Sequence, residues 1–164
     1  MRKEYQSSVY GKIPQRNVSR KKTWSTTTKN GETVTLRRRR VNPLRRANMR
    51  KEGKDWQAYN AYDSKGKKIG KMGLDRKSNE EMNITWLSVN KKMKNAGYGS
   101  AILKAGEKIA KEAGASKMTG EVVGISPDML HITDREGYAH KGKLETEFWL
   151  EVWGGATLVE KKLK

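Results

Sequence analysis

The sequence predicts an α/β domain with a mixed sheet, preceded by a strongly basic N-terminal segment. Three observations lead to this prediction. Segments with the composition and two-residue alternation of strands are interrupted by one segment with the period of a helix and by one that begins with the signals of a helix N-terminus. A glycine-containing loop, residues 90–99, joins one of those strands to the first helix of the domain. Positive charge is concentrated at the beginning of the chain.

The charge distribution divides the chain into two parts. The formal net charge of the 164 residues is +18. Residues 1–54 hold 17 Lys and Arg against 3 Asp and Glu, a net charge of +14, whereas residues 55–164 hold 19 against 15, a net charge of +4. This asymmetry is typical of a basic arm attached to a nearly neutral globular domain. We therefore predict a basic N-terminal arm over residues 1–54 and a folded domain over residues 55–164.

The composition excludes several kinds of site. There are no cysteines, so disulfides, thiolate nucleophiles and Cys-ligated metals are excluded. The two histidines, His131 and His140, lie in different contexts, and no metal site is predicted. The sequence has neither an apolar run long enough to span a membrane nor an apolar secretory signal. We expect no membrane partner and a location that is intracellular (cytoplasmic) or virion-enclosed, not secreted.

Within the basic arm, the sequence predicts a hairpin and a short helix. Asn30-Gly31 lies between Thr-rich runs in Trp24 to Leu36, which is a strong signal for a type I′ hairpin. Arg37 to Arg40 continue the second strand until Asn42-Pro43 interrupts it. The following segment, Arg45 to Lys51, has the composition of a short basic helix.

The first half of the predicted domain contains three strands and a helix. Residues 56–63 and 68–74 form a pair of strands around the turn at 64–67, and residues 84–89 form a third strand rich in apolar and β-branched residues. Apolar side chains recur at helical spacing from Ser100 to Ala113, and Gly114 has the position of a C-terminal helix glycine.

The second half of the domain contains a strand, a helix and two further strands. Residues 117–123 form the strand, and Ser126-Pro127-Asp128 has the composition of a helix N-terminus. This second helix is expected to end at Gly137. In residues 144–153, apolar and polar side chains alternate as in a half-buried strand, and residues 156–163 are expected to form the last strand.

The loop before the first domain helix has the features of an anion site. It places Lys94, Gly97 and Gly99 between a strand and a helix. A helix N-terminus presents free backbone N–H groups and partial positive charge, and glycines let a large anion come close to the backbone. The loop is therefore predicted to hold phosphate. An alternative is that the glycines only let the helix pack tightly on the sheet.

From this loop onward, the chain resembles the GNAT family of N-acetyltransferases. Lys94, Gly97 and Gly99 fill the places of the family's cofactor loop, and Val89 falls where the family has a strand-ending valine. Similarity continues through residues 110–122, 135–138 and 154–163. The resemblance covers roughly residues 55–164 and implies a mixed, mostly antiparallel sheet flanked by helices, with the basic hairpin-containing arm as an unmatched extension.

The resemblance also implies a cofactor and the residues that hold it. Acetyl-CoA would be the cosubstrate, with no metal involved. Backbone N–H groups of the loop would bind its pyrophosphate, and backbone groups of the preceding strand would bind the pantetheine arm and polarise the thioester carbonyl. The residues implied are Leu87, Val89, Lys94, Asn95, Ala96, Gly97, Tyr98, Gly99 and Ser100.

The chain departs from the family at both usual proton-transfer positions. Thr133 stands where many members carry a tyrosine acid, and the place of the strand glutamate base falls on Asn83. Three replacement candidates are considered: Thr133 itself, Tyr138 as an acid and Glu81 as a base. The hydroxyl of Thr133 is far less acidic than a phenol and would protonate a thiolate poorly. The other two have alternative interpretations, Tyr138 as a core aromatic and Glu81 as a solvated carboxylate.

The arginines of the arm are a second candidate site. Their density favours binding to nucleic acid or another polyanion through phosphate contacts. The residues concerned are Arg37, Arg38, Arg39, Arg40, Arg45, Arg46 and Arg50.

Two functions are therefore expected. The first is acetyl transfer from acetyl-CoA to an amine, with the arm recruiting a nucleic acid or nucleoprotein substrate. The alternative is a catalytically degenerate GNAT-fold protein that serves as a nucleic-acid-binding or structural component of a large assembly, such as a virion or another nucleoprotein particle. The resemblance leaves open whether the chain is an active enzyme.

Overall fold

The computed structural model describes residues 23–51, 55–94, 96–123, 127–144 and 155–164. These residues form one eight-stranded sheet with the strand order β1-β2-β3-β4-β5-β6-β8-β7. Strands β5 and β6 run parallel, whereas the other neighbouring pairs described are antiparallel. The prediction of a mixed, mostly antiparallel sheet flanked by helices is confirmed. The elements are β1 Thr23–Thr27, β2 Thr33–Arg38, α1 Pro43–Lys51, β3 Asp55–Tyr62, β4 Lys68–Arg76, β5 Glu81–Val89, a 3-10 turn Lys91–Met93, α2 Tyr98–Glu112, β6 Lys117–Val123, α3 Pro127–Arg135, β7 Ala139–Leu144 and β8 Ala156–Lys162.

Helix α2 packs against one face of the sheet and forms the core with it. Its side chains Ile102, Leu103 and Ala105 are fully buried, because the apolar stripe predicted from the sequence faces the strands. The helix approaches the sheet closely at Gly106, where an added Cβ would lie 2.7 Å from the sulfur of Met72. We call this side of the sheet the core face and the opposite side the outer face.

The predicted hairpin is present and is an integral part of the sheet, but its turn is not the predicted two-residue type I′ turn. The N–H of Gly31 donates to the carbonyl of Thr28, and Thr28 pairs with Glu32, so that three residues form the loop, with Gly31 in the left-handed conformation. Strands β1 and β2 pair in register around the turn, and β2 pairs with β3. Trp24, Val34 and Leu36 are buried in the common core. The boundary predicted between residues 54 and 55 therefore does not interrupt the sheet, which extends N-terminally to residue 23. The sequence suggested an arm because the inward-facing residues of this hairpin are separated by Thr and Arg, which occupy the outer face.

The C-terminal part differs from the prediction in its strands. Strand β7 was not predicted, because its sequence A-H-K-G-K-L lacks apolar alternation; it lies at the sheet edge, where Ala139, His140 and Lys141 are exposed. The strand predicted at 144–153 falls almost wholly outside the described residues. Strand β5 begins at Glu81 rather than at Ile84, since parallel pairing with β6 starts at Glu81 opposite Lys117.

Two further properties concern the described ranges only. None of their helices is long and apolar enough to cross a membrane. Their His, Asp and Glu side chains form no group of three or more with the arrangement of a metal site.

The burial of the hairpin leads to a stability prediction. Trp24→Ala should lower the free energy of unfolding by about 3–5 kcal/mol, the usual cost of removing a buried aromatic ring. Ser25→Ala is the matched control, because Ser25 lies next in β1 and is exposed. Chemical denaturation of both variants measures the effect. A loss below about 1 kcal/mol for Trp24→Ala would mean that the hairpin does not contribute to the core.

Candidate functional site

The candidate site begins where the two parallel strands separate. Pairing between β5 and β6 runs from Glu81 opposite Lys117 to Ile84 opposite Gly120. Both strands continue beyond this point, β5 to Val89 and β6 to Val123. A shift in the β4–β5 register leaves Thr85 as an extra residue in β5, directly after the last residue paired with β6. This bulge bends β5 away and opens a gap with backbone groups along its edge.

The N-terminus of α2 lies beside the unpaired end of β5, since Gly97, Tyr98 and Gly99 line the same cavity as Leu87 and Val89. Its N-cap residue, Gly97, has a left-handed backbone with φ of 81°, and no side chain caps the helix. The first intrahelical bond is donated by the N–H of Ala101 to the carbonyl of Gly97. The N–H groups of Tyr98, Gly99 and Ser100 precede it and therefore have no carbonyl within the helix to bind. These donors and the helix dipole together favour an anion at this position.

The structure requires glycine at positions 97 and 99 of the loop for different reasons. Gly97 requires its left-handed conformation, but an added Cβ would meet only ordinary contacts, the nearest being Thr28 Cβ at 3.7 Å. At Gly99 an added Cβ would lie 2.6 Å from Ile132 Cδ1, so this glycine lets α3 pack against the first turn of α2. The alternative reading of the glycines as packing residues therefore applies to Gly99. Gly97 instead leaves the loop backbone open.

A cavity of about 580 Å³ lies between the gap, the loop and α3. Its volume is in the range of small-molecule sites. The cationic groups on its wall are Lys91, Lys94 and Arg135, and one carboxylate, Asp128, pairs with Lys94 at 3.2 Å. Apolar side chains complete the wall near the strand, so the cavity combines an apolar end with a cationic end. The lining residues are Leu87, Ser88, Val89, Lys91, Met93, Lys94, Gly97, Tyr98, Gly99, Pro127, Asp128, Met129, His131, Ile132 and Arg135.

The hairpin turn holds the loop in place. The hydroxyl of Tyr98 donates a hydrogen bond of 2.6 Å to the carboxylate of Glu32, which follows the hairpin turn. This bond is the main reason why the pKa of Tyr98 is raised from its ordinary value of 10.0 to about 12. On the neighbouring strand, Thr26 Oγ1 donates to the carbonyl of Ala101 at 2.7 Å. The first turn of α2 is thus fastened to the hairpin at two points.

Most of the residues predicted to hold a cofactor meet at this cavity. Leu87, Val89, Lys94, Gly97, Tyr98 and Gly99 line it. Ala96 is exposed in the loop, and Ser100 is buried and accepts a hydrogen bond from Arg135. Asn95 lies outside the described residues.

The three candidate proton-transfer residues are not among the residues lining the cavity. Thr133 is buried, and its hydroxyl donates to the carbonyl of Leu130 at 3.0 Å. Glu81 is paired with Lys117 at 3.1 Å and accepts a hydrogen bond from Thr119. Proton transfer requires hydrogen-bond reach to the reacting group. The geometry therefore favours structural roles for Thr133 and Glu81.

Tyr138 also has a structural environment. Its hydroxyl donates to the buried carboxylate of Glu107 at 3.1 Å, and Lys161 binds the same carboxylate at 2.9 Å. Burial, followed by the charge of Glu107, raises the pKa of Tyr138 well above its ordinary range. A phenol held in this way is a poor proton donor, and the core-aromatic reading of Tyr138 is the one that fits.

The predicted arginine site is divided by the pleat of β2. Arg37 pairs with Asn60 and lies on the outer face, and the N–H of Arg39 donates to the carbonyl of Ala58, which continues this alternation. Arg38 is half-buried opposite Tyr59, toward the core face. Arg40, Arg45 and Arg46 are exposed, and the side chain of Arg50 lies outside the described part.

Sequence reasoning missed two features of this region. Arg135 and Asp128 line the cavity together with His131 and Ile132, and the spacing of 128, 131, 132 and 135 is that of one helix face, which was a usable signal. Glu121 was also missed. It is an exposed carboxylate on β6, one residue beyond the last residue paired with β5, and it shares the outer face with Thr119.

Comparison with known proteins gives a family match and several structural matches. The sequence profile described as the acetyltransferase (GNAT) family matches residues 24–125, which includes the hairpin and the loop. None of the curated proteins matches the chain.

Two solved structures illustrate the similarity in fold. One is a GNAT family acetyltransferase from Elizabethkingia anophelis with acetyl-CoA bound; it is 16% identical, with a TM-score of 0.63 over 79% of this chain and 98% of that chain. The other is spermidine N-acetyltransferase from Vibrio cholerae in complex with CoA and spermine; it is 13% identical, with a TM-score of 0.64 over 79% of this chain and 95% of that chain.

The bond between the hairpin and the loop makes a prediction about pH. Because Tyr98 has a higher pKa in the folded protein, its stabilising contribution is present below pH 10 and is lost as the pH rises toward about 12. Glu32→Gln should shift the Tyr98 titration back toward 10, as followed by NMR of isotope-labelled tyrosine with Tyr98→Phe for assignment. A Tyr98 titration that is the same with and without the Glu32 carboxylate would contradict the bond.

Proposed function

The chain belongs to the acetyltransferase (GNAT) family, and we propose that it transfers an acetyl group from acetyl-CoA to an amine. The observation that carries this proposal is the uncapped N-terminus of α2, which lies beside the unpaired end of β5. An anion of pyrophosphate size requires backbone donors, a close approach and local positive charge. The loop at 97–100 offers all three, and the gap beside it offers strand edges to an extended chain.

The residues of the cavity suit the phosphates and the pantetheine arm of acetyl-CoA. The N–H groups of Tyr98, Gly99 and Ser100 would hold the pyrophosphate, with Gly97 leaving the backbone accessible. Lys91, Lys94 and Arg135 supply positive charge for the phosphates. The backbone of β5 at Leu87 and Val89 would accept and donate hydrogen bonds to the amides of the pantetheine arm, since this strand edge is not paired with β6 beyond Ile84.

Chemistry would take place at the gap. When bound, acetyl-CoA would supply a thioester whose carbonyl carbon the acceptor amine can attack, with a C–N bond formed, the C–S bond broken and CoA leaving as a thiolate that takes up a proton from solvent. A backbone N–H of β5 at Leu87 would stabilise negative charge on the carbonyl oxygen. The amine must arrive neutral, so its proton has to be accepted by a nearby base or by water.

Glu121 is the carboxylate we propose for the acceptor side. It lies on β6 immediately past the point where the strands separate, and its side chain is exposed on the outer face. Glu81, the base considered from the sequence, lies on the same face but is engaged by Lys117 and Thr119. An exposed carboxylate can receive an ammonium group and then accept its proton, directly or through water.

The positive charge of the protein favours an acceptor amine that is carried by an anionic molecule. The Vibrio cholerae neighbour is a spermidine N-acetyltransferase, and spermidine is a polycation. A protein with a net charge of +18 repels such a substrate at a distance and attracts anionic ones. We propose that Arg37, Arg39 and Arg45 bind nucleic acid, bringing an amine on a nucleic acid or nucleoprotein to the site, and that this binding weakens steeply with salt.

A second candidate follows from one observation, the absence of Glu81, Thr133 and Tyr138 from the cavity wall. A GNAT-fold protein that binds acetyl-CoA without turnover would serve as a nucleic-acid-binding component of a larger assembly. Release of free CoA in the presence of a panel of amines separates the two. Turnover supports the enzyme, whereas tight binding without turnover supports the second candidate.

Calorimetric titration with acetyl-CoA tests the proposed cradle. Gly97→Glu should abolish measurable binding, because a carboxylate there repels the pyrophosphate from the helix N-terminus. Gly66→Glu is the matched control, since Gly66 has a similar positive φ of 78° at the β3–β4 turn and no neighbouring atom within 4 Å of an added Cβ. Equal acetyl-CoA affinity in wild type and both variants would overturn the proposed cradle.

A second comparison tests the acceptor side. Glu121→Gln should lower kcat by about 10² or more if the carboxylate accepts the proton of the amine, with little change in acetyl-CoA affinity. Glu81→Gln provides the matched control on the same face and should leave kcat nearly unchanged. A normal kcat in this variant would remove Glu121 from the reaction.

A further inference from the structure

The outer face of the sheet carries two indole rings that form a platform. Trp56 on β3 and Trp86 on β5 have ring centroids 6.2 Å apart with an interplanar angle of 54°. Both side chains are half-buried, so part of each indole is open to solvent. The strand register places them on the side away from α2, since Trp86 pairs with Gly73 while the next residue, Leu87, pairs with the core residue Met72.

The position of this platform is fixed by the backbone beneath it. A Cβ added at Gly73 would lie 2.6 Å from Cε2 of Trp86, so the missing side chain lets the Trp86 indole lie against the sheet. The indole N–H of Trp56 donates a hydrogen bond of 3.1 Å to Oγ1 of Thr85, the bulged residue of β5. Two aromatic rings are therefore held in a defined arrangement next to the gap between β5 and β6.

Cations surround the platform. The guanidinium of Arg45 lies 5.4 Å from the Trp56 ring centroid, and the ammonium of Lys71 lies 5.5 Å from that of Trp86. Along the same face, Arg37 lies over the ring of Tyr62 at 5.0 Å. Of the nearby carboxylates on β3 and β4, Asp75 is buried and paired with Lys77, and Asp55 is exposed at the start of β3. The balance of exposed charge around the rings is positive.

We propose that this face binds single-stranded nucleic acid, with bases stacking on Trp56 and Trp86 and phosphates bound by Arg37, Arg45 and Lys71. Exposed aromatic rings within a cationic surface are the arrangement that unpaired bases require, whereas bases of a duplex are stacked on each other and unavailable. The inference rests on the proposed nucleic-acid partner and adds where it binds and in which form. A strand on this platform would pass beside the acceptor side of the gap.

Fluorescence anisotropy with labelled RNA tests the proposal on the full chain. The probes are an oligouridylate of about 12 nucleotides, within the span that one domain covers, and an RNA duplex of the same charge. Trp56→Leu combined with Trp86→Leu should weaken oligouridylate binding about tenfold or more and leave duplex binding and the salt dependence unchanged. Trp56→Phe combined with Trp86→Phe should retain the oligouridylate affinity.

Variants that remove positive charge provide a second test. Arg45→Ala with Lys71→Ala should weaken binding of both probes and reduce the dependence on salt. Lys65→Ala with Lys67→Ala is the matched control, because these exposed lysines lie on the β3–β4 turn, away from the rings. Photo-crosslinking of oligouridylate to the wild-type protein should map to the segments containing Trp56 or Trp86, a readout that does not depend on the folding of any variant.

Three results would overturn the proposal. The first is oligouridylate binding by Trp56→Leu with Trp86→Leu that equals binding by wild type, and the second is crosslinks that map only to other segments. The third is sedimentation that shows a wild-type dimer dissociated by these leucine substitutions, which would make the platform a self-association surface. Acetyl-CoA titration of the leucine variant is the separate readout. If the leucine variant binds both acetyl-CoA and oligouridylate as wild type does, the platform is rejected and the acetyltransferase proposal still stands.

Discussion

The site depends on the way in which the β1–β2 hairpin holds helix α2. Trp24 donates to Glu112 near the end of the helix at 2.7 Å, and Thr26 donates to Ala101 in its first turn at 2.7 Å. Tyr98 at the helix start bonds to Glu32 at 2.6 Å. A helix fixed at both ends cannot slide along the sheet, and its N-terminal N–H groups stay beside the unpaired end of β5. Anion binding requires this fixed arrangement of donors, since freely moving donors would lose much of the binding free energy on ordering.

The sheet contributes to two different surfaces because successive side chains of a strand point to opposite faces. On the core face, Leu87 and Val89 meet the cavity beside α2. On the outer face, Trp86, which directly precedes Leu87 in sequence, meets Trp56 instead. A single strand therefore contributes to the proposed acetyl-CoA site on one side and to the proposed acceptor side on the other. The bulge at Thr85 matters to both, since it opens the gap and its hydroxyl fixes the Trp56 ring.

The sequence predicted what depends on local pattern. The helix over 100–113, the Asn30-Gly31 turn and the loop with Gly97 and Gly99 all follow from periodicity and from backbone preferences. Most of the loop and strand residues predicted for a cofactor line one cavity. The sequence did not predict features that depend on contacts between residues far apart in the chain. The pleat separates Arg38 from Arg37 and Arg39, and the burial of Trp24 depends on α2, which lies more than 70 residues later. The environments of Thr133 and Tyr138 likewise arise from tertiary packing.

Amide hydrogen exchange of the wild-type protein with and without acetyl-CoA tests the central claim most directly. The account predicts slower exchange at the N–H groups of Tyr98, Gly99 and Ser100 and along the β5 edge from Thr85 to Val89, because these donors would become bound or shielded. Amide exchange in β1, the edge strand of the hairpin, should change little. Protection that is absent from residues 98–100, in a sample where acetyl-CoA binding is confirmed, would contradict the claim that the N-terminus of α2 is the cofactor cradle.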